Sequence, residues 1–332
     1  MEFLQVIWYV LIVVLLLGYS ILDGFDLGIG VLTPFLAKGD RDKRVLFNAV
    51  GPFWDGNEVW LLTGGGALFA AFPPVYATVF SGFYLALMVV LFALIFRAVS
   101  LEFWSYDEKH RGFWSWAFVL GSFLPSLLYG VALGNIIQGI PLNQNLDFTG
   151  NFFTLLRPFP LVAGLLGLFA VLLQGSAYTA LKTDGALRDK ARNLTSMLGI
   201  IFIVVFILAV GLGLLVIDGA AGKILAWVFA LVVLAGWWLN RTAAKGGSDM
   251  KAFLMSSLVQ VGIWGMVASV LFPNLVKASN DPALNMTLYN ASSSQLTLTV
   301  MLIIGLVGMP VVIGYTIYVY RVFKGKVSLE EA

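Results

Sequence analysis

The sequence contains no cysteine and only one histidine among its 332 residues. Without cysteine, the chain can form no disulfide, no thiolate metal site and no iron–sulfur cluster. The histidine, His110, stands among charged residues in SYDEKHRG and is expected to be a solvated loop residue. Because haem, copper or zinc in a helical bundle usually needs several imidazoles, no metal ligand is expected on this chain. Any redox metal would lie on another chain.

Charged residues are also scarce, at 11% of the sequence against about 25% in a typical soluble domain. Hydrophobic residues make up 60%, and the mean hydropathy is +0.92. This composition predicts an all-α integral membrane protein in which residues 1–332 form one polytopic membrane domain. The sequence has no phosphate-binding loop and no basic nucleic-acid patch, so nucleic acid is not an expected partner.

Nine apolar segments are long enough to cross a bilayer as helices of about 20 residues. The first segment begins with Met-Glu, lacks a basic leading region and continues apolar to Phe35, which indicates an anchor helix and not a cleaved signal peptide. Helices 1–4 and 5–8 are predicted to form two four-helix bundles, to which the ninth helix is added. The approximate bounds are 3–22, 50–71, 75–96, 113–136, 159–180, 196–217, 223–240, 253–273 and 296–320.

The distribution of basic residues predicts the orientation of these helices. Seventeen of the 20 lysines and arginines follow odd-numbered segments, and only Arg157, Lys223 and Lys277 fall singly in the other connections. Basic loops remain in the cytoplasm, so the N-terminus is predicted to lie outside and the C-terminus in the cytoplasm. A wrong helix count would scramble this alternation, so the bias also favours nine spans.

The stretch from Asn48 to Ala71, NAVGPFWDGNEVWLLTGGGALFAA, carries two carboxylates inside a run long enough to span a membrane. Asp55 and Glu58 lie three residues apart and therefore share one helical face. At ~1.5 Å per residue, Asp55 lies on the order of 10 Å into the segment. An ionisable side chain at membrane depth costs roughly 2.5–3.5 kcal/mol. Two of them on one face need a counter-charge, water or protons.

Asp23 and Asp26 lie near the inner end of the first helix, which a short basic loop joins to this stretch. Four carboxylates would then gather on the cytoplasmic side of one helical hairpin, with Arg97 as the nearest counter-charge. Three interpretations stay open: a structural ion-pair network, a proton path from the cytoplasm along carboxylates and water, and a cation site. Unpaired carboxylates in a low dielectric tend to take up protons, which favours the proton path over the cation site.

Several longer motifs recur in order from the first to the ninth segment. Two of them are DGFDLGIG at 23–30 and FWDGNEVWLLTGGGALFAAFPPVYA at 53–77. They are accompanied by FSGFYLAL at 80–87, FRAVS at 96–100, GSFLPSLLYGVALGN at 121–135, TGNFF at 149–153 and SSSQLTLTVM at 292–301. Together these motifs resemble subunit II of the cytochrome bd-type quinol oxidases of prokaryotes. The resemblance covers essentially the whole chain.

The resemblance implies a nine-helix subunit of the prokaryotic cytoplasmic membrane that pairs with a homologous, haem-bearing subunit I. The pair would oxidise a quinol (ubiquinol or menaquinol) and reduce dioxygen to water. Two haems b and one haem d would belong to subunit I, and no catalytic residue is expected on this chain. The resemblance leaves open a small single-helix accessory subunit, and a quinone or lipid bound in this chain as a structural ligand.

The tryptophan–aspartate motif, WDGNEVW at 54–60, contains the residues for which the resemblance implies roles in proton and oxygen transfer. The resemblance places Asp55, with Trp54 beside it, on a proposed route for protons from the cytoplasm. Trp60, the second tryptophan of the motif, is associated in some members with a hydrophobic path for oxygen, and Trp54 is the other residue expected to line such a path. Glu58 stands where some members carry glutamine, so it ranks below Asp55 as a proton carrier.

Asp23, Asp26 and Arg97 match family positions for which a structural or proton-related role is expected. Two other classes of function stay open beside the oxidase subunit. One is a proton- or cation-coupled secondary transporter, whose acids should lie near the midplane and be reachable from both sides. The acids here cluster toward the cytoplasm instead. The other is a structural membrane scaffold, in which replacement of Asp55 by asparagine would leave activity intact.

Overall fold

A computed structural model of the chain describes residues 1–327. Eleven α-helices and a small antiparallel sheet of two strands make up the regular structure of these residues, apart from short 3-10 turns. The helices are α1 (Glu2–Leu36), α2 (Asp40–Val50), α3 (Trp54–Ala71), α4 (Pro73–Gly82), α5 (Tyr84–Tyr106), α6 (Arg111–Gln138), α7 (Pro158–Lys182), α8 (Gly185–Val216), α9 (Ile224–Lys245), α10 (Asp249–Leu271) and α11 (Gln295–Val322). The strands are β1 (Asn274–Val276) and β2 (Met286–Thr287).

Eight of these helices are long and apolar enough to cross a membrane, namely α1 and α5–α11. The remaining expected span, α3, is not among them, because Asp55, Asn57 and Glu58 lower the mean hydropathy of its 18 residues. The expected class, an all-α membrane protein, is confirmed. The count of nine spans and the orientation of the termini stay predictions.

Four of the predicted segments differ clearly from the helices of the structure. The segment 196–217 is the later part of α8, which begins at Gly185. The segment 3–22 is part of the longer α1, so Asp23 and Asp26 lie inside a helix. The segment 50–71 is not one continuous helix, because α2 ends and α3 begins on either side of Gly51–Phe53. Pro52 has no backbone N–H and therefore cannot donate a helical hydrogen bond at this point. The segment 75–96 is divided between α4 and α5 at Phe83.

Helix α1 lies in the centre of the molecule and packs against α3, α6, α7 and α10. Its closest approach is to α7, where a Cβ on Gly28 would lie 2.3 Å from the carbonyl oxygen of Val171 and one on Gly175 would lie 2.6 Å from the backbone of Gly28. Glycine at both positions lets the two backbones touch. Helices α3, α1, α6 and α5 are neighbours on one side, and α7–α10 form a ring on the other.

The two ends of the bundle differ. At the end called here the basic end lie α2, the connection between α5 and α6, and the connection between α7 and α8. Phe47 of α2 stacks there on Trp104 at 4.9 Å between ring centroids. The opposite end, called the strand end, carries β1 and β2. Its loops are joined across the chain, for example by the backbone N–H of Ile140, which donates to the carbonyl of Lys277 at 3.0 Å.

Candidate functional site

Arg97 of α5 is fully buried and holds two acids together. Its Nη1 donates to both carboxylate oxygens of Asp23 at 2.8 Å and 2.9 Å, and its Nη2 donates to Oε2 of Glu58 at 3.3 Å. Three helices, α1, α3 and α5, therefore share one buried ion cluster. A charge left without its partner in such a place is strongly destabilising, so each member depends on the other two.

Helix α6 closes one side of this ion cluster. A Cβ on Gly121 would lie 2.6 Å from the carbonyl oxygen of Ala93 and 2.8 Å from the backbone nitrogen of Arg97. The backbones of α5 and α6 are therefore in direct contact where Arg97 leaves α5. The Nε atom of Arg97 is also buried and has no hydrogen-bond partner in the described part of the chain.

Asp26 lies one helical turn beyond Asp23 and has different partners. Its side chain is 1% exposed, and its Oδ2 accepts a hydrogen bond from Nδ2 of Asn57 at 2.8 Å. Its Oδ1 has no hydrogen-bond partner within residues 1–327. The amide of Asn57 also donates to the carbonyl of Leu22 at 3.1 Å and accepts from the hydroxyl of Tyr320 at 3.1 Å. Asp26 is thus held by an amide and not by a cation.

Asp55 stands apart from both groups. It lies in the first turn of α3, where the backbone N–H groups of the helix favour a negative charge, and its side chain is exposed. Neither a hydrogen bond nor an ion pair of Asp55 occurs among the side chains of residues 1–327. The structure therefore does not bring this expected site residue into the Arg97 cluster, although it places Glu58 there.

The two tryptophans of the motif are half-buried. Trp54 lies beside Asp55 in the first turn of α3, and the ring of Trp60 lies flat against α1 at Gly18, where a Cβ would come within 2.2 Å of it. Gly18 is therefore required to seat the indole. The Nε1 of Trp60 is buried and lacks a partner within the described residues.

An apolar cavity of about 400 Å³ lies between α1, α6, α7 and α10. Leu61, which follows Trp60, is part of its wall. Tyr19 and Tyr129 are among its few polar lining residues, and their rings meet edge to face at 5.8 Å. Such a cavity suits an apolar molecule such as dioxygen, an acyl chain or an isoprenoid chain.

Asn57 and Tyr320 were not expected as site residues. An amide inside so apolar a run is a signal that could have drawn attention to Asn57, but its carboxylate neighbours Asp55 and Glu58 are more conspicuous. Tyr320 has no comparable signal, since Tyr315 and Tyr318 precede it on the same helix. Only the packing of α11 against α3 distinguishes it.

The model of the family described as cytochrome bd terminal oxidase subunit II matches residues 4–323. The chain belongs to this family. The family expected from the motifs is therefore confirmed, and with it a place in a quinol oxidase complex of the bacterial inner membrane.

Relatives of this subunit II cover its full length. It is 37% identical to the cytochrome bd-I ubiquinol oxidase subunit 2 of Escherichia coli, over 99% of this chain and 97% of that one. It is 34% identical to the cytochrome bd ubiquinol oxidase subunit 2 of Bacillus subtilis, over 100% and 99% of the two chains. Its fold is similar to a chain of the bd oxidase structure from Geobacillus thermodenitrificans, with a TM-score of 0.82 at 16% identity, covering 96% and 98%.

Metal-ligating side chains are not clustered in the described part of this subunit II. In residues 1–327, no three His, Cys, Asp or Glu side chains are grouped so that they could hold a metal ion. Nδ1 of the exposed His110 lies 2.9 Å from Oδ2 of Asp107, in the connection between α5 and α6. The indole N–H of Trp114 and His110 both bind this carboxylate and lower the pKa of Asp107.

Proposed function

We propose that this chain is the non-haem subunit of a bd-type terminal oxidase, and that a haem-bearing subunit I carries the two haems b and the haem d. The complex oxidises quinol and reduces dioxygen to water with net charge separation. The family membership supports this role, as does the lack of a haem ligand set in the described chain. The proposal extends to a small single-helix subunit beside the pair, and to a quinone or lipid seated in the apolar cavity.

We further propose that the basic end faces the cytoplasm and that α3 is the ninth span. The N-terminus then lies outside and the C-terminus in the cytoplasm. The alternation of basic loops supports this orientation. The ion pair of Glu58 with Arg97 supports α3 as a span, because it turns that acid toward the protein and makes the low hydropathy of α3 more tolerable.

The role proposed for the acids is uptake of protons from the cytoplasm. The observation that carries it is the imbalance of charge around Arg97: one guanidinium binds Asp23 and Glu58, while Asp26 is buried nearby without a cation. A carboxylate in that position is favoured when it takes up a proton. Asp23 and Arg97 then form the fixed pair, and Asp55, Glu58 and Asp26 are the proposed carriers.

Asp55 is proposed to be the entry residue of this route. It heads an exposed stripe on α3 with Val59, Leu62, Gly66 and Phe69, spaced three or four residues apart. Exposed apolar residues at this spacing form one face of a helix. We propose that subunit I covers this stripe and that Asp55 lies at its cytoplasmic edge, within reach of water.

Access for oxygen is the second proposed role. The apolar cavity beside Trp60 would offer a low-polarity space for dioxygen. Trp54 would lie at the start of the same helix, α3, near the basic end. The transporter alternative is less well supported, because Arg97 fixes two of the acids and the end of α11 covers a third from the basic end.

The first test is Asp55→Asn in the whole complex, with Asp281→Asn at the strand end as the matched control. We expect an assembled, haem-replete oxidase whose oxygen consumption per haem falls several-fold or more, within the roughly 10²–10⁴-fold range of lost acid–base groups. The control should consume oxygen at the unmodified rate. Normal turnover of Asp55→Asn would remove Asp55 from the route, and failure to assemble would favour a purely structural role.

The partner assignment is tested separately by a reduced-minus-oxidised visible spectrum of the chain purified gently from native membranes. Haem b and haem d bands should appear and should leave with the co-purifying subunit when that subunit is stripped away. A colourless preparation without a stoichiometric partner would support the transporter instead.

A further inference from the structure

We propose that Asn57 and Tyr320 are positioning residues for Asp26: Asn57 fixes one carboxylate oxygen as a hydrogen-bond acceptor and leaves the other free to take up the proton. The inference rests on the proposed role in proton uptake, and it selects Asp26 as the buried acceptor and α11 as the helix that controls it. Asp23, by contrast, is committed on both oxygens to Arg97.

Two hydrogen bonds fix the orientation of the Asn57 amide. The Tyr320 hydroxyl donates to Oδ1 of Asn57 at 3.1 Å, so the oxygen of the amide is occupied on that side. Nδ2 of Asn57 must then face the opposite way, where it donates to Oδ2 of Asp26 at 2.8 Å. An amide can only donate from its nitrogen. The tyrosine therefore keeps the asparagine turned with its N–H groups toward the acid.

The two carboxylate oxygens of Asp26 differ in their hydrogen bonds. Asp26 is 1% exposed, its Oδ2 is taken by Asn57, and its Oδ1 has no partner in residues 1–327. A buried oxygen without a donor is unfavourable when the carboxylate is charged, and this is relieved when that oxygen binds a proton or a water molecule. The proton thus adds to Oδ1 from water and leaves from Oδ1 to water, with one O–H bond formed and the same bond broken.

The end of α11 also shields this acid from the basic end. The ring of Tyr320 lies against Phe53 at 4.4 Å between centroids, and Nζ of Lys182 lies 5.2 Å from the Phe53 ring. Nζ of Lys182 in turn donates to the carbonyl of Phe323 at 2.7 Å. Tyr320 is half-buried and stands two residues before the last residue of α11. The positioning tyrosine thus forms part of the cover between Asp26 and water.

The titratable groups around Asp26 come from every helix of this region. They are Asp23 on α1, Glu58 on α3, Arg97 on α5, Tyr178 on α7 and Tyr320 on α11, while Lys182 of α7 lies against Phe53. Among them only Tyr320 reaches Asp26 through a hydrogen-bonded intermediary, namely Asn57. A change at Tyr320 therefore acts on Asp26 through the amide and leaves the Arg97 pairs in place.

The test is Tyr320→Phe in the complete oxidase, with Tyr318→Phe as the matched control, since Tyr318 is on the same helix and 65% exposed. Oxygen consumption per haem is measured across pH for both. Without the hydroxyl, the amide can turn its N–H away and the carboxylate loses stabilisation, so the pH profile of Tyr320→Phe should move upward by about one unit, as expected for one charged hydrogen bond. Tyr318→Phe should reproduce the unmodified profile.

An infrared measurement supplies a second readout. A protonated carboxyl band that disappears in Asp26→Asn should shift in Tyr320→Phe and in Asn57→Ser, and not in Tyr318→Phe. The inference is overturned if Tyr320→Phe assembles with an unchanged profile and band while Asp26→Asn slows turnover, and the proposed proton route then stands. If Asp26→Asn and Asp55→Asn both turn over normally, the proton route itself fails, and the inference with it.

Discussion

Helices α1 and α11 are both long membrane helices, but they are held in opposite ways. Every residue of α1 from Asp23 to Thr33 is buried, whereas α11 buries only Leu298 among its 28 residues. The acids of α1 find their partners on α3 and α5 of the same chain. The middle of α11 touches little of the described chain, and its polar contacts lie near its two ends.

Substitutions in α1 and in α11 are therefore expected to have different consequences. A substitution in the buried half of α1 acts on the fold, because its neighbours are fixed on several sides. A substitution in the middle of α11 should act on lipid or partner contacts, and one near its basic end should act on Asp26 through Tyr320. Substitutions that disturb the buried half of α1 are therefore expected to cost more stability than substitutions in or beside α11.

The largest effect is expected for Arg97→Met, which leaves Asp23 of α1 buried without a counter-charge. Breaking a buried pair on one side costs about 3–5 kcal/mol, so the yield of assembled, haem-containing complex should collapse. The control is Arg41→Met, because Arg41 is exposed at the basic end. For both variants, the measurements are the yield of haem-containing complex and its thermal midpoint in detergent. An Arg97→Met complex as stable as the control would show that the ion cluster does not hold α1.

A smaller loss is expected for Gly28→Val, which places a side chain where α1 touches α7. The Cβ alone would lie 2.3 Å from the carbonyl oxygen of Val171, so the helices must separate, at a cost of about 1–3 kcal/mol or more. Gly308→Val on α11 is the matched change, since a Cβ there meets nothing within 4 Å. Equal thermal midpoints for the two variants would contradict the contrast between the helices.

The smallest change in thermal midpoint is expected for Lys277→Gln, in the connection that leads to α11. Burial, and next the charge of Lys223, lower the pKa of Lys277. The unfolded chain therefore binds more protons in the window between the folded pKa and the ordinary value of about 10.4, and stability rises with pH there. Lys277→Gln should raise the thermal midpoint slightly at pH 7, and this advantage should shrink toward pH 10.

Lys109→Gln is the control for that comparison, because Lys109 is exposed at the basic end. The difference in thermal midpoint between Lys109→Gln and the unmodified protein should stay constant from pH 7 to pH 10. An advantage of Lys277→Gln that grows with pH would show that the charge of Lys277 is favourable where it lies.

The sequence predicted the features that depend on long apolar runs and on charge. The membrane class and the family follow from hydropathy and motifs. The short loop after α1 indicated that Arg97 could pair with acids of the first two segments, but not that Glu58 would be the partner instead of Asp55. The breaks at Gly51–Phe53 and at Phe83 were less accessible, because both fall inside runs whose average hydropathy favours one helix.

The remainder of the site depends on contacts between distant parts of the chain. Asp55 and Glu58 share a face by spacing, yet Glu58 is drawn into the Arg97 cluster and Asp55 is exposed. The contact of Tyr320 with Asn57 joins residues 263 positions apart. Helical periodicity carries no information over such a separation, so only the packed structure can bring Asp26, Asn57 and Tyr320 together.

The strand end has a consequence for biosynthesis. Nε2 of Gln5 donates to Oγ of Ser292 at 2.7 Å, and the indole of Trp8 donates to the carbonyl of Leu298 at 2.9 Å. Chains are made from the N-terminus, so the helix that enters the membrane first receives these partners only after the connection to α11 has been translated. Closure of this face is thus a late event in insertion, and a ribosome stalled before residue 292 would leave the first helix open to the quality-control machinery of the membrane.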